Sequence, residues 1–350
     1  MSIGLLLLIP ALLSPAPVPA ALGQGAGLSA AAAASGRPPE CSSRSKRALA
    51  RGPTVWELAR APTLQRYCDL MARAHAELPT MPDAARLAAA EADQALPGHA
   101  APAVVLGRAF LAMGATAEAA RAFERARAVD PRSVEDPSTM HDLARVLVKT
   151  GKRDEALAVY RALVPRVDLL GTTDRRVSVL LEAAYLSMAA EGAGGAPPTV
   201  AELVGQPGGP RPRSTGPRPQ LDEAIAYLRE ARQRPPTPLT GDVLLSLALV
   251  LDRAGSREEA DATLGEAERA GARLRAGASA GPLEYLIVPE DRGALEALAA
   301  EGADRPAAQK AWESYLAGAG GKGPWAAAAR GRLDALKKGV RARPPARKGK

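Results

Sequence analysis

From Trp56 onward, apolar and small residues recur every three to four positions, in blocks broken by glycine, proline and polar turns. That spacing is the period of amphipathic helices and predicts an all-α body. The most legible block, AAPAVVLGRAFLAMGATAEAARAFERARAVDP, begins at Ala100. It reads as two antiparallel helices joined at Gly114 and ended at Pro131. Small residues at Gly107, Ala119 and Ala126 let the two helices approach, and large ones at Leu106, Phe110 and Phe123 fill the space against the next hairpin. One such hairpin cannot bury its own apolar face, so the pattern should recur.

It recurs downstream with Leu143, Ala144, Leu147, Gly151, Ala156 and Tyr160, and again with Leu247, Ala248, Leu251, Gly255, Ala260, Leu264 and Ala267. The second unit departs from the pattern at Leu163, where a small residue is expected, and at Pro165, which arrives early. Between these units lies a split copy, with one helix over roughly Arg175 to Ala190 and its mate in LDEAIAYLREA. Weaker copies flank the set: Ala85, Ala89 and Ala92 upstream, and Gly302, Ala308, Trp312 and Tyr315 downstream, before a final helix from Trp325 to about Lys337 that caps the stack.

The order and spacing of these residues resemble the tetratricopeptide repeat. The resemblance covers roughly residues 64 to 336 and implies a right-handed superhelical solenoid of antiparallel helix pairs, with the first helix of each pair lining a concave groove. Carried onto this chain, the groove positions include Arg108, then His141, Arg145 and Lys149, then Asp252 and Arg253, with Val104, Leu111, Val148, Leu245 and Leu249 among them. The middle of this surface is basic and its edges apolar, which suits an acidic or amphipathic peptide. One subclass of the family clamps the terminal carboxylate of chaperones with Lys and Asn. This chain has Val104, Arg108 and Asp142 at the corresponding places, which argues against that mode.

Outside the repeats, residues 1–20 combine an apolar run from Ile3 to Leu13 with a Pro/Ala stretch, the plan of a secretory signal too short and proline-broken to span a bilayer. Residues 21–51 read as a linker, 52–336 as the solenoid, 191–219 as a Gly/Pro-rich disordered insertion within it, and 337–350 as a basic disordered tail. The chain holds two cysteines, Cys41 and Cys68. Either they bridge, which an exported destination in the periplasm or outside the cell favours, or Cys68 is a small buried residue on its helix.

Composition then narrows the function. The net charge of +8 comes largely from Lys337, Lys338, Arg341, Arg343, Arg347, Lys348 and Lys350, so the body is close to neutral and nucleic acid is not the expected partner. Aromatic residues make up 3% of the chain, which argues against a stacking surface or an aromatic cofactor pocket. No phosphate loop, GxSxG or His/Cys cluster is present, and His75, His99 and His141 are far apart in sequence, so neither catalysis, a cofactor nor a metal is expected. The expected role is a non-enzymatic scaffold or assembly factor of the cell envelope that holds a segment of another protein. The competing reading gives the function to the tail, bound to an anionic lipid, glycan or nucleic acid.

Overall fold

A computed structural model describes residues 38–41, 55–193, 219–271 and 289–338. The expected signal at 1–20, most of the linker and insertion, and the tail beyond Lys338 lie outside the described residues. Thirteen α-helices are described: α1 Val55–Glu77, α2 Pro82–Ala95, α3 Ala100–Ala112, α4 Thr116–Val129, α5 Pro137–Lys149, α6 Arg153–Leu163, α7 Thr173–Ala193, α8 Pro219–Gln233, α9 Thr240–Arg253, α10 Arg257–Arg269, α11 Pro289–Ala303, α12 Arg305–Ala317 and α13 Ala326–Lys338. They pair in order, α1 with α2 through α11 with α12, and α13 closes on α12. Each pair then packs on the next through α2 and α3, α4 and α5, α6 and α7, α8 and α9, and α10 and α11. The fold is the all-α, tetratricopeptide-like solenoid that the repeat pattern predicts.

The turns show why the chain reverses where it does. Gly114 sits at φ 78°, a conformation that costs a residue with a Cβ, and there the Ala115 amide donates to the Phe110 carbonyl at 2.9 Å and the Gly114 amide to Leu111 at 3.0 Å. The same pair of bonds recurs around Gly151 and Gly255. At the other ends, the Asp136 side chain caps α5 by accepting from the Thr139 amide at 3.1 Å. Pro131 opens a short 3-10 helix after α4, and α6 runs directly into another at Val164–Leu169, the local result of the early Pro165.

Packing follows the division into small and large positions. Ala119, Ala126, Ala144, Ala156, Ala248 and Ala260 are fully buried, as are Phe123 and Leu247, and Leu106 and Leu143 are nearly so. Burial of each large side chain contributes about 1.5–3 kcal/mol. A Cβ built on Gly107 would stand 2.9 Å from the Phe123 ring, so the missing side chain is what lets that ring lie against α3. Phe110 packs against both the core under α1 to α4 and the larger core that continues to α13. Both α7 and α9 are buried on nearly all sides, and Leu245 and Leu249, expected in the groove, lie in this core instead.

Two features tie the stack together beyond the apolar contacts. The second helices are linked by ion pairs: Asp93 with Arg125 at 3.0 Å, Glu124 with Lys152 at 3.1 Å, Arg161 with Glu223 at 2.8 Å, and Arg229 with Glu259 at 2.7 Å. They run from α2 to α10 in sequence, each exposed and therefore worth only about 0.2–1 kcal/mol. At the other feature, Pro38–Cys41 within the expected linker forms an ordered 3-10 turn. Cys41 is disulfide-bonded to Cys68 on α1, and Glu40 lies 2.5 Å from the imidazole of His99 at the start of α3.

Candidate functional site: a basic groove

The helical phase of α5 places His141, Asp142, Arg145 and Lys149 one and two turns apart along one side. They line a groove of about 790 Å³ together with Arg108, Leu111 and Ala112 of α3 and Asp174, Arg175 and Ser178 of α7. Leu78 and Pro79, after α1, line it from the first hairpin, and Pro238 and Leu239 from the segment leading into α9. Four cations therefore face two carboxylates across a lining whose contributors nearest the chain ends are aliphatic.

Asp142 links three hairpins at the floor of this groove. Its Oδ2 accepts from Arg108 Nε at 2.8 Å and its Oδ1 from Arg175 Nη2 at 3.3 Å, while Arg175 Nη2 also donates to the Ser138 carbonyl at 3.2 Å. Beneath it, His141 is almost wholly buried, with Nε2 2.8 Å from Glu182 Oε2 and Arg175 Nε 3.4 Å from Nδ1. Glu182 also accepts from the Tyr160 hydroxyl and, at 3.0 Å, from Ser178. Burial alone would raise this carboxyl. The charge and hydrogen bond of His141, the Tyr160 hydroxyl and the charge of Arg145 outweigh that effect and hold it below the usual carboxylate value.

Four of the six groove residues expected from the sequence thus share one surface: Arg108, His141, Arg145 and Lys149. Asp252 and Arg253 are elsewhere. Arg253 is buried, paired with Asp291 at 2.5 Å and set over the Trp325 ring at 5.1 Å. Asp252 receives Arg332 of α13 at 3.0 Å, and Arg332 also pairs with Asp261 and Glu301. These residues fasten the last hairpin and the cap to the stack, because at this end of the solenoid the inner side of α9 is covered by α11 and α13.

Arg175 and Glu182 are not among the site residues expected from the repeat pattern. For Glu182 a signal exists, since it is the one charged residue in the run Val177 to Ala190, VSVLLEAAYLSMAA, and a lone acid in a buried helix needs partners. Arg175 carries no such signal, because its role depends on which hairpin lies beside it. Among the described residues there is no group of His, Cys, Asp and Glu placed to hold a metal, and no helix long and apolar enough to cross a membrane.

Known proteins bear on this placement through the repeat itself. No curated protein matches the chain. Among solved structures, the flexible tandem repeat domain of a bacterial cellulose synthase is 20% identical and covers 82% of this chain and 99% of its own, with a TM-score of 0.24. Residues 110–168 match the tetratricopeptide repeat family, a stretch that contains all of α5 and α6. His141, Asp142, Arg145 and Lys149, the centre of the groove, therefore lie within a tetratricopeptide repeat.

Proposed function

We propose that the protein is a non-catalytic interaction scaffold that holds an acidic segment of another protein in the groove formed by α3, α5 and α7. The observation that carries this reading is the lining itself: Arg108, Arg145, Lys149 and Arg175 outnumber the acids, with Leu78, Pro79, Pro238 and Leu239 contributed by the outer hairpins. Such a surface favours an extended or helical segment with an acidic centre and aliphatic neighbours, steered by charge and retained by apolar burial. We further propose that the chain works after export, in the cell envelope or beyond it. The Cys41–Cys68 bridge supports an oxidising compartment, in keeping with the signal-like start of the sequence.

The test is site-specific photo-crosslinking in the native cell, with the crosslinker at Leu111 or Thr172 in the groove and at exposed Val129 of α4 as control. One partner should be captured from the two groove positions, and capture should be lost with Arg145→Glu or Lys149→Glu. It should persist when residues 339–350 are deleted. Equal capture from Val129, survival of both charge reversals, or loss with the tail alone would each contradict the groove reading.

A further inference from the structure

Asp142 sits where a ligand carboxylate would be expected to sit. Its two oxygens accept from arginines on either side, Arg108 from α3 and Arg175 from α7, and the three residues come from three consecutive hairpins around an open groove. Guanidinium groups converging on one carboxylate from two directions form an anion seat, and here the seat is filled by the chain itself. The exposure of the group distinguishes it from a structural staple. Arg108, Asp142 and Arg175 keep 21%, 14% and 32% of their side-chain surface, whereas Arg332 in the cap keeps 3%.

We propose that Asp142 is the specificity-determining residue of the groove, an internal competitor that withholds Arg108 and Arg175 from a partner's acidic residues and so sets how many acids the groove accepts. This rests on the reading of the groove as the partner site. With Asp142 in place, the pair Arg108 and Arg175 is already satisfied. A partner carboxylate entering between them meets a like charge within the reach of an ion pair, which disfavours it by about a factor of ten or more even at a half-exposed site. The partner's acids are thereby directed along α5 towards Arg145 and Lys149. A partner with a denser acidic run would have to displace Asp142.

The experiment measures fluorescence anisotropy of rhodamine-labelled hexaglutamate, with hexaglutamine as control, on the full chain and its Asp142→Asn variant. Asp142→Asn should bind hexaglutamate about tenfold or more tightly than the wild type, with a steeper loss on adding salt and no change for hexaglutamine. Adding Arg108→Gln and Arg175→Gln to Asp142→Asn should remove the gain. If Asp142→Asn fails to fold by circular dichroism, Asp142→Ser is measured in its place. A folded variant with no gain overturns the proposal, and so does loss of the fold in both variants, which would make Asp142 a staple. Either failure leaves the groove reading standing, because that reading is decided by capture of the native partner and its loss on reversing Arg145 or Lys149.

Discussion

His141 Nε2 lies 2.8 Å from Glu182 Oε2, and this contact between two nearly buried side chains joins α5 to α7 beneath the groove. The carboxylate is shared with Tyr160 and Ser178, so each of its oxygens has a partner. Removing it leaves the imidazole and the hydroxyl buried and unmatched. Glu182→Ala should destabilise the protein by about 3–5 kcal/mol in urea unfolding, and Glu182→Gln, which keeps the shape and part of the bonding, by clearly less. A cost for Glu182→Ala within the range of a surface substitution would show that the network does not hold α5 to α7.

The same carboxylate predicts a pH dependence with a definite sign. Its folded value is lowered despite burial, through His141, Tyr160 and Arg145, while the unfolded value stays near about 4.3. Its contribution is then complete above the unfolded value and is lost as the pH falls through the folded one. The stability deficit of Glu182→Gln should be constant around neutral pH and narrow as the solution is acidified below about pH 4.3. Parallel acid-unfolding curves for the two proteins would refute the assignment.

Gly107 offers a case in which ordinary helix propensity and packing predict opposite signs. Replacing glycine by alanine inside a helix stabilises it by about 1 kcal/mol when space is open. Here the added methyl would meet two Phe123 ring carbons at 2.9 Å, closer than such atoms come, and the ring is fully buried with nowhere to move. Gly107→Ala should therefore destabilise by about 1–3 kcal/mol. Adding Phe123→Leu should recover part of that loss, giving a favourable coupling in a double-mutant thermal-denaturation cycle.

Gly107 and Phe123 also show how much of the architecture can be read from the chain alone. Contacts within a hairpin and between adjacent hairpins are encoded by side-chain size at fixed spacing, so the small and large positions, the turn at Gly114 and the stop at Pro131 are all legible. So is the basic side of α5, because its residues share one helix. The partners of Asp142 and Glu182 are different in kind, since they come from neighbouring hairpins and depend on the angle at which these stack. Repeat register misplaces Asp252 and Arg253 for a related reason. It assigns them to an inner face, but it carries no sign that α11 and α13 cover that face at the end of the stack.

At the opposite end, the bridge between Cys41 and Cys68 spans 27 residues and holds the turn whose Glu40 meets His99. Closing a loop of that size contributes about 3 kcal/mol, largely by restricting the unfolded chain. Cys41→Ser with Cys68→Ser should lower the melting temperature, and reductant should lower the wild type to match without affecting the double variant. The loss should appear as faster amide exchange in α1 and α2 before any change in α5. Unchanged melting in reductant would show that the strap contributes nothing to the solenoid.

The cap makes the last case, because one arginine there serves three acids. Arg332 is buried and pairs with Asp252 at 3.0 Å, Asp261 at 3.0 Å and Glu301 at 3.2 Å. Burial lowers the guanidinium's hold on its proton, but the carboxylates outweigh this and raise it. For Glu301, burial prevails over the pull of Arg332 and pushes the carboxyl up. A single guanidinium cannot compensate three carboxylates, and Glu301 is the one left with the balance unfavourable. Arg332→Met should cost about 3–5 kcal/mol and release α13, seen as amide exchange there while α3 to α6 stay protected. Glu301→Gln should do the reverse. A raised folded value means that stability is full below the unfolded value and is lost as the pH rises through the folded one. The glutamine variant, which never ionises, should thus be the more stable protein at neutral pH and should lose that advantage as the wild-type Glu301 takes up its proton. A destabilised Glu301→Gln at neutral pH would mean that Arg332 governs this carboxyl after all.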